Sequence, residues 1–90
     1  MAAQGTTTID FGPAATDTSV AVSAPAITGT QLVEAWLFPT ATTDNTADNH
    51  WVDHIRVTAG NVQAGVGFTI YGRCDTGFAH GKFTVGWVYN

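Results

Sequence analysis

Apolar side chains fall on every second position in the last third of this chain, and that spacing excludes most of what its 90 residues could otherwise build. Phe68, Ile70, Gly72 and Cys74 alternate with Thr69, Tyr71 and Arg73, and Phe83, Val85, Trp87 and Tyr89 alternate with Thr84, Gly86 and Val88. A period of two sends the two sets to opposite faces of a β-strand. Nowhere do apolar residues recur at i, i+3 and i+4 over three turns, so no long amphipathic helix is expected.

The same pattern continues upstream. Thr7, Ile9 and Phe11 share a parity before Gly12-Pro13 breaks the run. Val20 and Val22 alternate with Ser19, Ala21 and Ser23 until Pro25, which confines that strand to a sheet edge or ends it; Ala26-Ile27-Thr28 resumes it after the proline. In Gln31–Pro39 both parities are apolar, with Leu32, Trp36 and Phe38 on one and Val33, Ala35 and Leu37 on the other, as in a strand covered on both sides. Residues 40–49 form a polar loop, and His50 to His54 allow a helical turn capped by Asp48 or Asn49. His54–Thr58 reads as a strand, Ala59-Gly60-Asn61 as a turn and Val62-Gln63 as a short return. The last two strands, separated by Asp75–Gly81, read as a long-looped hairpin. The expectation is one all-β domain over 1–90, a small antiparallel β-sandwich or jelly-roll-like fold of six to seven strands. Residues 1–17 form an N-terminal arm with a first strand in it, and 18–90 form the sandwich.

A chain this short buries little. Surface scaling gives roughly 5,000 Å² exposed when folded against roughly 13,600 Å² unfolded, near the lower limit for independent folding. Cys74 is the only cysteine, so no intrachain disulfide helps. Only 11% of residues are charged while 44% are hydrophobic, where a soluble domain carries about 25% charged. Such a surface suits burial against other protein, so partner subunits are the expected source of added stability.

Charge narrows the function classes. The net charge is −4, with Arg56, Arg73 and Lys82 the only cations besides histidine. Three scattered cations cannot neutralise a run of phosphates, so neither nucleic acid nor an anionic membrane is expected as partner. The longest apolar run is far short of a membrane span, and MAAQGTTTID has neither the charged nor the apolar part of a signal peptide.

Chemistry is sparse. Asp44, Asp48, His50, Asp53 and His54 are the densest polar group; with His50 and His54 on one helical face and Asp44 or Asp48 as third ligand they would suit zinc. The plainer reading, preferred here, is a solvated loop whose Asp and Asn residues cap turns, since neither the His-Glu-x-x-His nor the calcium-loop pattern is present. No cofactor is expected. Cys74 shares the parity of Phe68 and Ile70 and reads as a small buried hydrophobe. Glu34 is the only glutamate, so a facing pair of catalytic carboxylates is weakly supported. The chain is read as a non-enzyme. Trp51 and Phe78, with Tyr71, stand in or beside loops, where aromatics anchor interfaces or stack on sugars; Trp36 and Trp87 are assigned to the core. The contact candidates are Asp48, His50, Trp51, His54, Phe78 and His80, in the 44–54 and 76–81 loops, together with the N-terminal arm.

The segment DHIRVTAGNVQAGVGFTIYGRCDTGFAHGKFTVGWVYN, with the preceding Asn45-Thr46-Ala47-Asp48-Asn49-His50, resembles small β-rich virion structural proteins of tailed bacteriophages. They share a GFTIY strand, a Gly-Phe/Leu-Ala-His-Gly loop and a closing Val-x-Trp strand. The resemblance covers roughly residues 30–90. It implies a virion component, either a capsid decoration (cement) protein or a small tail or fibre domain, often trimeric. The decoration protein is the reading taken first, as a homo-oligomer bound to the major capsid protein or another virion protein, and with no signal peptide it is expected to be made in the host cytoplasm. No catalytic residue carries over from it. GFTIYGRC and KFTVGWVYN are also similar in outline to the H-type lectins, small six-stranded antiparallel sandwiches that trimerise and bind sugars at subunit boundaries. That likeness keeps a tail or fibre module binding a receptor glycan as the alternative.

Overall fold

The structure is a computed structural model that describes residues 3–90; contacts of Met1 and Ala2, the first residues of the expected arm, lie outside the described residues. Its elements in chain order are β1 (Ala3–Asp10), β2 (Asp17–Ser23), β3 (Val33–Leu37), α1 (Ala47–Val52), β4 (Ile55–Gln63), β5 (Gly67–Cys74) and β6 (Lys82–Tyr89). They form two three-stranded antiparallel sheets, β1-β6-β3 and β2-β5-β4. Each sheet has one apolar face, and the two faces close on a shared core, with β1 packed on β2 and β3 on β4. The fold is the small all-β sandwich that the alternation predicts.

Period two is visible directly in burial. Ile9 is buried while Thr8 and Asp10 are exposed; Phe68, Ile70 and Cys74 are buried while Tyr71 and Arg73 are exposed. Phe83, Ile9, Ile70 and Val85 are fully buried at its centre, each worth about 1.5–3 kcal/mol in removal from water. Phe83 stands edge-on to Phe11 at 5.6 Å, and Phe68 edge-on to Trp87 at 5.4 Å, the arrangement that ring quadrupoles favour. The total accessible surface is 5227 Å², close to the scaling value for this mass.

Five local expectations are corrected. First, β5 and β6 are not a hairpin. β5 lies between β2 and β4, and β6 between β1 and β3, so the 75–81 loop crosses from one sheet to the other. Their alternating aromatics face each other across the core instead of lying side by side. The tight hairpin is β4–β5, with Gln63 opposite Gly67. Second, Ala59-Gly60-Asn61 is no turn: β4 runs through it, with a register shift between Gly60 and Gln63 and Asn61 at φ 52, so a bulge takes up the residues read as a turn. Third, the sandwich does not begin at residue 18: the first strand expected within 1–17 is present as β1, an integral edge strand paired with β6 from Ala3–Tyr89 to Asp10–Lys82. Fourth, Ala26–Thr28 does not resume β2; Ile27 is held in a turn by its N–H to the Ala24 carbonyl and fills the core from there. Fifth, Trp36 is not core. Only Val33, Ala35 and Leu37 of β3 face inward, and Trp36, 42% exposed, lies flat on the outer face over Gly86, its partner across the ladder. A Cβ on Gly86 would sit 2.6 Å from the indole, so only glycine permits that approach.

Candidate functional site

The polar loop that attracted attention in the sequence has a structural task. β3 leaves β6 after Leu37, where Phe38 N–H still donates to the Thr84 carbonyl at 2.9 Å; Pro39 then offers no N–H. Beyond that point, loop side chains satisfy β6 in place of a strand. His50 Nε2 accepts from Thr84 N–H at 2.8 Å, and Asp44 Oδ2 accepts from Lys82 N–H at 3.0 Å. Asn45 Nδ2 donates to the carbonyls of His80 and Lys82 at 2.9 and 3.0 Å, and Thr42 Oγ1 donates to the Lys82 carbonyl at 2.7 Å. Buried backbone polar groups need partners, and this loop supplies them.

α1 exists to aim His50. Its N-cap is Thr46, whose hydroxyl accepts from Asn49 N–H at 3.2 Å, and not Asp48 or Asn49. The helix turns His50 inward, 2% exposed and edge-on to Phe83 at 5.0 Å, and leaves Trp51 and Val52 outside. Nδ1 lies 2.7 Å from the Thr46 carbonyl, which can only accept, so Nδ1 carries the proton and Nε2 is the acceptor. With both ring nitrogens engaged, no lone pair is left for a metal. α1 ends at Val52, so His54 does not share its face with His50. Among the described residues no three His, Cys, Asp or Glu side chains gather where a metal could be held.

The six contact candidates therefore divide. Trp51 is 81% and Phe78 76% exposed, and Asp48, His54 and His80 are exposed as well. Asn45 to His80 and the Asp75 N–H to the His54 carbonyl at 3.2 Å bring the α1 segment and the 75–81 loop to the same end of the sandwich. His50 is corrected: its burial removes it from any surface of the isolated chain. Trp51, read either as an end plug or as a contact residue, plugs nothing. Cys74 is buried and its thiol lies 3.4 Å from the Asp53 carbonyl.

Two outward sheet faces carry the other exposed groups of note; of these only Tyr71 drew attention in the sequence, and it stands within β5 and not in or beside a loop. On β1-β6-β3, Trp36 and Phe38 border a shallow groove of ≈ 260 Å³ with Gln4 and Thr6 on its far side. Leu32, 80% exposed, continues that parity just before β3, and the Leu32 N–H and carbonyl bond to Asn90. On β2-β5-β4, Arg73 of β5 lies between Asp17 of β2 and Arg56 of β4, and one step along, Tyr71 lies between Ser19 and Thr58. A shallow groove of ≈ 410 Å³ runs over these rows. Arg56 pairs with Asp75 at 3.1 Å; among the described residues it is the only ion pair, so Arg73 has none. The signal for both faces was present in the alternation, which set Tyr71 and Arg73 opposite Phe68 and Ile70. What the sequence lacked was the register that aligns Arg56 with Arg73 and Trp36 with Gly86.

No protein family matches this sequence, and neither a curated protein nor a solved structure resembles it closely enough to count as a match.

Proposed function

We propose that the chain is a non-enzymatic structural subunit of a tailed-phage virion, a capsid decoration protein that acts as a small homo-oligomer, a trimer by the resemblance, seated on the major capsid protein. The single observation that carries this reading is the exposed parity that runs through β3, with Leu32 just before the strand, Trp36 within it and Phe38 just after it, interrupted only by Glu34. Large apolar side chains aligned along an unpaired sheet edge are costly to leave in water and suit burial against protein. With so few charges to keep the surface soluble, contact with copies or with a capsid subunit removes that cost. Many such contacts of modest strength add up when subunits repeat across a shell.

Light scattering on the purified protein, followed by add-back to particles stripped of it, tests the proposal. The expected result is an oligomer that restores particle stability. A stable monomer that never binds capsids would eliminate it.

The second reading, a receptor-glycan module of a tail or fibre, is supported by the arrangement of six strands as two three-stranded antiparallel sheets, the outline that the H-type lectin likeness implies. Fold alone does not carry function across. On this reading Trp51→Ala or Phe78→Ala abolishes sugar or host binding with the fold intact; a glycan array without hits counts against it.

A further inference from the structure

We propose that the outer face of β2-β5-β4 binds the carboxylate of an acidic sugar, with Arg73 as the anion contact and Tyr71 as the ring platform. Two of the chain's three Lys and Arg residues stand here, directly opposed as Arg56 and Arg73. Like charges placed directly across a ladder repel. Asp75 neutralises Arg56 from one side at 3.1 Å. Arg73 keeps its guanidinium free of any ion pair among the described residues, although Asp17 is its ladder neighbour. An unpaired planar guanidinium beside a groove fits a carboxylate in bidentate fashion.

The neighbouring row selects a sugar over a bare anion. Tyr71 is 42% exposed and flanked by the exposed hydroxyl residues Ser19 and Thr58. An aromatic ring with hydroxyls on both sides gives a pyranose an apolar face to lie on and partners for its own hydroxyls. Residues two apart on one strand share a face roughly 7 Å apart, so Arg73 reaches a substituent of a ring resting on Tyr71. The groove of ≈ 410 Å³ is lined by Arg56, Arg73, Tyr71, Thr18 and Thr58, with the Asp17 carboxylate at the β2 side, so a ligand carboxylate is directed to the Arg73 and Arg56 side.

The inference goes beyond the assembly reading and does not depend on it, since oligomer mass and sugar titration are measured separately. It shares the ligand class of the glycan reading but moves the site from the loops to the sheet. Calorimetry and side-chain NMR with a galacturonate oligosaccharide test it, beside the neutral galactose counterpart, inorganic phosphate and a glutamate-rich peptide. The acidic sugar should bind, shift the Tyr71 ring and Arg73 resonances, and weaken as salt is added. Arg73→Gln should weaken it about tenfold to a hundredfold, and Tyr71→Ala should also weaken it, with circular dichroism and oligomer mass unchanged in both. The neutral sugar should not bind. No binding by the acidic sugar, binding unchanged in both variants, or equal binding of phosphate or the acidic peptide overturns the proposal.

Discussion

Inside the sandwich, β6 and β5 contribute nearly interchangeable residues, Phe83 and Val85 from one sheet against Phe68 and Ile70 from the other. Outside, they part: β1-β6-β3 shows Trp36, Phe38 and threonines, whereas β2-β5-β4 shows Arg56, Arg73, Tyr71, Ser19 and Thr58. The inner faces answer to one requirement, exclusion of water from a core that a 90-residue chain can barely fill. The outer faces are under no such constraint and differ: Trp36 and Phe38 stand among Gln4, Thr6 and Glu34 on one, and hydroxyls, an aromatic ring and unequal charges stand on the other.

The equality of the inner faces is broken most forcefully by removing one ring from each. Phe83→Ala and Phe68→Ala should each cost about 3–5 kcal/mol in urea unfolding; a large loss in only one would show that the two sheets do not share a single core. A smaller loss is expected at the loop that completes β6. His50→Ala leaves the Thr84 N–H without its acceptor and should cost about 1–3 kcal/mol, whereas Trp51→Ala, its exposed neighbour, should change stability by no more than about 0.5 kcal/mol. Equal effects would contradict the division of labour within α1. The contrast of outer faces sharpens in association: Trp36→Ser with Phe38→Ser should weaken the oligomer by about 2 kcal/mol or more, roughly thirtyfold, by light scattering across a dilution series, while Arg73→Gln should leave its mass unchanged. The smallest effect belongs to Arg56→Gln. Its pair with Asp75 is between side chains 67% and 45% exposed, so the loss of stability should stay below about 1 kcal/mol and vanish in high salt.

Much of the fold was legible because strands announce themselves by alternation and by the residues that stop them. Pro25 marks β2 as an edge strand that ends, and β2 is one. Pairing was less legible. Whether Phe68–Cys74 and Phe83–Tyr89 lie beside or opposite each other depends on where β1 and β3 go, and nothing local to the two strands specifies that. Gly60-Asn61 carries the chemistry of a turn yet serves a bulge, because both need a positive φ in nearly the same residues. At the candidate site, a loop rich in Asp, Asn and His looks alike whether it faces solvent, holds a metal or completes a strand. Only the position of Thr84 and Lys82 reveals that His50, Asp44 and Asn45 are committed to backbone. Phe78 was readable as exposed because its neighbours Gly77 and Ala79 are small, and Trp51 because it follows the polar 40–50 stretch; Trp36 was not, since its apolar neighbours suggested cover from both sides.

The central position of β6 has a consequence for the order of assembly. Residues 17–74 contain all three strands of β2-β5-β4, so that sheet can pair without β6. β1 and β3 have no partner but β6, which follows both in chain order. Until β6 docks, they are two orphan strands, one of them bearing Trp36, and the core is covered from one side only; a single strand therefore closes the second layer in one step.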